Sequence, residues 1–84
     1  MKKHAIDFNL LIKQQLKSIN VLEGQLEGEK DPFIQEALLK VIVEKYDECF
    51  EGAKHTDNYN DLHYANLKKS YMKKLERVRK HEDL

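Results

Sequence analysis

The sequence contains few of the residues that cross-link a chain or interrupt its helices. Its 84 residues include one cysteine, one proline and three glycines. A single cysteine, Cys49, cannot form an internal disulfide, so a disulfide-stabilised secreted domain is excluded and a reducing cytoplasm is the expected location. No run of about 18 apolar residues is present, so we expect no segment that spans a membrane.

Net charge is also absent, because 15 basic residues balance 15 acidic ones. This balance argues against a dedicated basic nucleic-acid module.

The length of the chain allows one small domain over residues 1–84 and excludes the larger α/β enzyme folds. Lys2 and Lys3 are followed by no uninterrupted apolar region, so no secretory signal is expected. The excess of lysine over arginine, 13 to 2, is typical of AT-rich coding genomes and indicates a bacterial or phage-like origin.

Apolar residues recur at helical spacing, and alternation at period two is absent, which predicts an all-α fold. We predict helices near residues 4–25, 32–52 and 58–81. Asp31 and Pro32 favour a helix start, because aspartate caps free N–H groups and proline suits the first helical position. Short connections favour antiparallel neighbours, so the expected architecture is an antiparallel three-helix bundle.

Each predicted helix has an apolar side when its residues are placed at 100° intervals. On the first helix this side consists of Ala5, Phe8, Ile12, Leu16, Ile19, Leu22 and Leu26. The second helix is apolar over more than half its circumference, with Ile34, Leu38, Val41, Ile42 and Cys49 beside Leu39, Val43, Tyr46 and Phe50. The third has a narrow stripe of Tyr64, Leu67, Tyr71, Leu75 and Val78. We therefore expect the second helix to pack against both others.

Three apolar residues of the first segment, Ile6, Leu10 and Val21, lie nearly opposite its apolar stripe. A domain of this size buries little more than about 60% of its unfolded surface, so self-association would add useful burial. We predict that these residues form a partner-binding or homodimer surface. The alternative is that they are ordinary exposed apolar residues.

Charge is segregated along the chain, with a net +3 over residues 1–22, −7 over 23–61 and +4 over 62–84. The second helix carries an acidic ridge of Glu44, Asp47, Glu48 and Glu51. The third carries a basic ridge of Lys69, Lys73, Arg77 and Lys80. Two interpretations stay open: the ridges are solvated or compensate each other across the two helices, or they dock a charged partner.

No motif for catalysis or cofactor binding is present, so we predict neither an enzyme nor a bound cofactor. The densest group of candidate metal ligands is His55, Asp57, Asp61 and His63, but its spacing matches no recognised site and no metal is predicted. Cys49 lies on the apolar side of its helix and is predicted to be a buried, unreactive thiol. Lys45 falls among apolar positions, so we expect its ammonium to reach water or to pair with a carboxylate or a tyrosine hydroxyl.

These features favour a small non-enzymatic regulatory or accessory protein that binds another protein through an exposed helix face. The alternative function is weak nucleic-acid binding by the basic ridge. Tyr64 and Tyr71 lie on the other side of the third helix from those lysines, which weakens the alternative, because base stacking needs exposed aromatic rings.

Overall fold

The computed structural model describes residues 7–56 and 61–80, and every regular element in these residues is an α-helix. The helices are α1 (Phe8–Gly28), α2 (Pro32–Ala53) and α3 (Asp61–Arg79). The three helices pack against one another, which confirms the predicted all-α three-helix fold. The central position predicted for the second helix is also confirmed, because α2 contacts both α1 and α3.

Aspartate side chains cap the first two helices. The carboxylate of Asp7 accepts a hydrogen bond from the Leu10 N–H at 3.1 Å, and that of Asp31 accepts one from the Phe33 N–H at 2.9 Å. The first N–H groups of a helix lack partners within the helix, so each cap satisfies a donor that would otherwise need water. The predicted start of α2 at Asp31 and Pro32 is confirmed.

The first helix continues past its predicted end near residue 25 and stops at Gly28. Gly24 does not interrupt it, because this exposed glycine costs only its low helix propensity, about 1 kcal/mol relative to alanine. The helix ends where Glu29 takes an extended conformation (φ −89°, ψ 131°) and its N–H bonds to the carbonyl of Leu26. The predicted starts near residues 4 and 58 fall on 1–6 and 57–60, which lie outside the described residues.

The core is formed mainly by one stripe of α2 and the sides of α1 and α3 that face it. The buried stripe of α2 follows alternating spacings of three and four residues: Leu39, Ile42, Tyr46, Cys49 and Ala53. Ile12 and Ile19 of α1 join one buried cluster, whereas Leu75 and Val78 of α3 join a second. Leu26 packs against both clusters and connects them.

Two residues expected in the core of α2 lie at the surface instead. Ile34 is 42% exposed and Val41 is 37% exposed. The reason is that α2 carries more apolar surface than two flanking helices can cover. Gly52 lies on the covered side, where Ile12 Cγ1 of α1 lies 3.4 Å from the place where a Cβ would stand. The side of α2 that carries Phe33 and Val41 faces outward.

Candidate protein-binding surface

The side of α2 opposite its buried stripe carries three apolar residues in a row, Phe33, Ala37 and Val41, which we call the outer strip. Their spacing of four residues places them on one side of the helix. Phe33 is 80% exposed, more than any other large apolar side chain in the described part of the chain. Phe33 and Ala37 belong to none of the surfaces predicted from the sequence, although their spacing is visible there.

Shallow grooves lie on both sides of the Phe33 ring. One has a volume of about 440 Å³ and is lined by Phe33, Glu36, Ala37, Lys40, Val41 and Glu44. The other has a volume of about 400 Å³ and is lined by Asp31, Pro32, Phe33, Glu36, Val78 and Arg79. Phe33 and Glu36 line both grooves, so a partner that contacts the Phe33 ring also reaches two depressions beside it.

Charged side chains border the outer strip. Glu36 is held by Arg79 of α3, whose Nε lies 3.0 Å from the Glu36 carboxylate. Lys40 and Glu44 are exposed and form no ion pair with any described residue. These two charges are therefore available to orient a partner on the strip.

The acidic ridge continues the outer face of α2 beyond the strip. Of its members, Asp47 is bound to Lys68 of α3 at 2.8 Å. Glu51 lies 3.7 Å from Lys54 on its own helix. Glu48 accepts a hydrogen bond from the Gln15 amide of α1. The outer face of α2 is thus apolar in its first half and acidic in its second half.

The basic ridge of α3 is fully on the surface. Its members are all exposed: Lys69, Lys73, Arg77 and Lys80. The ion pairs that connect α2 and α3 use Lys68 and Arg79 instead. Among residues 7–56 and 61–80, no member of the basic ridge forms an ion pair with the acidic ridge. The basic ridge therefore faces solvent or a partner.

The two described residues of the apolar patch predicted on α1 are both exposed. Leu10 is 49% exposed and Val21 is 61% exposed, whereas Ile6 lies outside the described residues. Leu10 and Val21 are three turns apart, about 16 Å along the axis. The exposed polar residues Gln14 and Lys17 lie between them on the same side. The two apolar residues are therefore separate, and their role in partner binding stays a prediction.

Lys45 is half-buried, and among the described residues its ammonium bonds to an amide and not to a carboxylate or a tyrosine hydroxyl. Its Nζ donates to Gln15 Oε1 at 3.1 Å, and the Gln15 amide nitrogen donates in turn to Glu48.

The predicted burial of Cys49 is confirmed, since the residue is 0% exposed. Burial raises the pKa of the Cys49 thiol to about 11, the charge of Glu48 adds to the rise, and Lys45 opposes it. The thiol is therefore protonated at neutral pH, and a protonated thiol is a poor nucleophile.

The histidines of the candidate metal group pack on aromatic rings. His55 stacks on Phe8 with ring centroids 4.6 Å apart, and the ring centroid of His63 lies 5.5 Å from that of Tyr64. Asp57 lies outside the described residues. In the part of the chain that the structure describes, no three His, Cys, Asp or Glu side chains converge as metal ligands.

A wider cleft of about 540 Å³ is lined by residues of all three helices and of the first connection, Glu23, Leu26, Glu27, Glu29, Gln35, Tyr71 and Lys74. The Tyr71 hydroxyl donates to the Glu23 carboxylate, and Lys74 Nζ lies 4.5 Å from the centroid of the Tyr71 ring. Burial raises the pKa of Tyr71, and Glu23 adds to the rise through its hydrogen bond and charge. These groups bind one another, so the cleft is better explained as a helix contact than as a ligand site.

Comparisons with protein families, curated proteins and solved structures found no match. Within residues 7–56 and 61–80, no helix combines the length and the apolarity needed to cross a bilayer.

Proposed function

We propose that the protein is a small non-enzymatic binding module that holds another protein chain on the outer face of α2. The observation that carries this proposal is the 80% exposure of Phe33 in one row with Ala37 and Val41. Covering a phenylalanine side chain contributes about 1.5–3 kcal/mol, and this gain is available only when a partner binds. Aromatic anchors of this kind are typical of the residues that dominate binding at protein interfaces.

The size of the strip favours a weak, reversible complex. Its exposed apolar area is on the order of 300 Å², which is the lower end of the largest patch on a typical monomer. Standard stable interfaces bury about 800 Å² on each partner. Charged residues around the strip must therefore add contact area, and Lys40 and Glu44 are the nearest that form no ion pair with a described residue.

The antiparallel helix arrangement predicted from the short connections is part of this proposal. In this arrangement α1 and α3 lie along the inner side of α2 and leave its outer face open to a partner. Phe8 at the start of α1 stacks on His55, which follows the end of α2. Between α2 and α3, the early residue Glu36 pairs with the late residue Arg79. In both cases the start of one helix contacts the end of the next, which supports an antiparallel arrangement of neighbouring helices.

The shifted pKa values also support binding rather than catalysis. Among the described residues, the groups with clearly shifted pKa values are Tyr46, Cys49, Tyr64 and Tyr71. Desolvation by burial is the largest cause for each, and it raises every one of these pKa values. A raised pKa keeps a thiol or phenol neutral, whereas an activated nucleophile needs a lowered pKa.

A second candidate function is weak nucleic-acid binding, which is favoured by the exposure of the basic ridge. Tyr64 is buried and Tyr71 packs against the core, so neither offers an exposed ring for base stacking. The contact would then involve phosphates alone and would weaken steeply with salt. A gel shift with single-stranded and duplex DNA at low salt tests this candidate, and the absence of any shift would exclude it.

Site-specific photocrosslinking tests the proposed protein-binding function. We would replace Phe33 with p-benzoylphenylalanine, which is tolerated because the side chain is exposed, and irradiate the protein in its native lysate. Matched variants carry the same group at Gln14, an exposed polar position on α1, and at Val21 of the predicted α1 patch. We expect a specific adduct at position 33 and none at position 14. An adduct at 21 alone, or none at 33, contradicts binding through the outer strip.

A further inference from the structure

We infer that the chain held on the outer face of α2 is a second copy of this protein, which presents the basic ridge of its α3. This inference rests on the proposed function and names the partner of that same face. The two surfaces are different parts of the molecule. The contact is therefore heterologous, so a first pair still has one free α2 face and one free α3 face.

The charges on the two faces match in spacing. Glu44, Glu48 and Glu51 of α2 follow the pattern i, i+4, i+7, and a second set on α3 follows the same pattern: Lys73, Arg77 and Lys80. When the two helices lie parallel with an offset of 29 residues, each acidic residue lies opposite a basic one. An antiparallel pairing would lose one of the three matches, because Glu76 would then face Glu48.

The same register gives one residue of the outer strip an apolar partner, whereas Ala37 and Val41 face Asn66 and Ser70. An offset of 29 residues places Phe33 opposite Leu62, which is 68% exposed on the outer side of α3. Both apolar residues lie eleven positions before the first charged pair, about 16 Å along each axis. One alignment of the two helices therefore covers the most exposed aromatic residue of the described part of the chain and pairs three members of each ridge with an opposite charge.

The register brings two pairs of like charges together on these faces, Lys40 facing Lys69 and Asp47 facing Glu76. These two pairs oppose association, but the three opposite pairs outnumber them. The zero net charge of the chain means that two copies do not repel each other overall. We therefore expect association that is weak, depends on concentration and is sensitive to salt.

Sedimentation equilibrium of the purified full chain at two ionic strengths tests the inference. The screening length is about 30 Å at 0.01 M and about 3 Å at 1 M, so pairing of the ridges should be strong at the lower salt concentration and largely screened at the higher. We expect the average mass to rise with concentration at low salt and to return to that of one chain at high salt. A single-chain mass at every concentration in both conditions overturns the inference.

Charge reversal identifies the pair that makes the contact. Glu44 and Lys73 suit this test because both are exposed and form no ion pair with a described residue. We expect Glu44→Lys or Lys73→Glu alone to weaken association about tenfold, and the double variant to restore it. The control variant Glu27→Lys makes the same change in net charge as Glu44→Lys but on a different surface, so it should leave association unchanged. Failure of the double variant to recover contradicts the proposed register.

The pair of Lys40 and Lys69 provides a test in which association should become tighter. Lys40→Glu places a carboxylate opposite Lys69 and should tighten association several-fold, whereas a purely structural role of Lys40 predicts no tightening.

Photocrosslinking of the purified position-33 variant should give an adduct of twice the chain mass, mapped to peptides around Leu62. If position 33 gives no adduct in the purified protein but crosslinks to a different protein in the lysate, the proposed function stands and the inference fails. If it crosslinks to no chain, both fail.

Discussion

The hydroxyl of Tyr71 on α3 donates a hydrogen bond to the carboxylate of Glu23 on α1. The ring of the same tyrosine stacks on Tyr46 of α2, with centroids 5.6 Å apart. Tyr71 therefore contacts both other helices and links α1 to α3 across the central helix. Because α1 and α3 each pack mainly on α2, this hydrogen bond is a direct tie between the two outer helices.

Removal of this hydroxyl should measurably destabilise the bundle. Tyr71→Phe keeps the stacked ring but leaves the half-buried carboxylate of Glu23 without this donor. Hydrogen bonds to charged groups contribute about 1.5–3 kcal/mol, so we expect a loss of that order in the free energy of unfolding by urea. A double-mutant cycle with Glu23→Gln isolates the pair. A coupling energy near zero would show that the contact is not important in solution.

The bundle should lose stability at alkaline pH. Burial raises the pKa of Cys49 from 9.0 to about 11, and that of Tyr46 from 10.0 to about 12, with neighbouring carboxylates adding to both. A raised pKa means that folding favours the neutral group. The stabilisation is therefore complete below the unfolded values and is lost as the pH rises through the folded values.

Urea unfolding measured at a series of pH values checks this expectation. The midpoint should stay level until about pH 9, the reference value of the thiol, and then fall as the thiol and the phenol ionise in the unfolded chain. Cys49→Ala should move the onset of the decline to higher pH, and Tyr46→Phe should make the decline shallower above about pH 10. A midpoint that does not change with alkaline pH would contradict the burial of both groups.

Two glycines of the helices should respond differently to the same substitution. A Cβ at Gly24 would meet nothing within 4 Å, whereas one at Gly52 would lie 3.4 Å from Ile12 and 3.7 Å from Phe8. We expect Gly24→Leu to stabilise the protein by a few tenths of a kcal/mol to about 1 kcal/mol through helix propensity. Gly52→Leu should destabilise it by about 1–3 kcal/mol, because the larger side chain overpacks the contact with α1. Equal effects in thermal unfolding would contradict this contact.

The sequence predicts the third helix well because its apolar stripe is narrow. Tyr64, Leu75 and Val78 are buried as expected, since α3 offers only one side that can be covered. The second helix is harder to predict because apolar residues surround more than half of it. Periodicity alone could not decide whether Val41 or Leu39 faces the core. Tertiary contacts decide it, because Leu39 packs with Leu75 and Val78 of α3.

The candidate surface could be predicted only in part, for the same reason. The exposure of Leu10 and Val21 follows from their position opposite the stripe of α1, and it is observed. The outer strip depends on the rotation of α2 about its axis, which its broad apolar surface leaves undetermined. Once that rotation is known, the spacing of Phe33, Ala37 and Val41 identifies the strip at once.

Two neighbouring residues test the rotation of α2 directly. Ile42 is completely buried, whereas Val41 is 37% exposed on the outer strip. Ile42→Ala removes buried methyl and methylene groups and leaves a cavity, so we expect a loss of about 2–5 kcal/mol in unfolding free energy. Val41→Ala should cost less than about 1 kcal/mol, because solvent already reaches the side chain. It should instead weaken binding at the outer strip. If Val41→Ala destabilises the fold as much as Ile42→Ala, then α2 packs with both residues in the core, and the outer face proposed for partner binding is wrong.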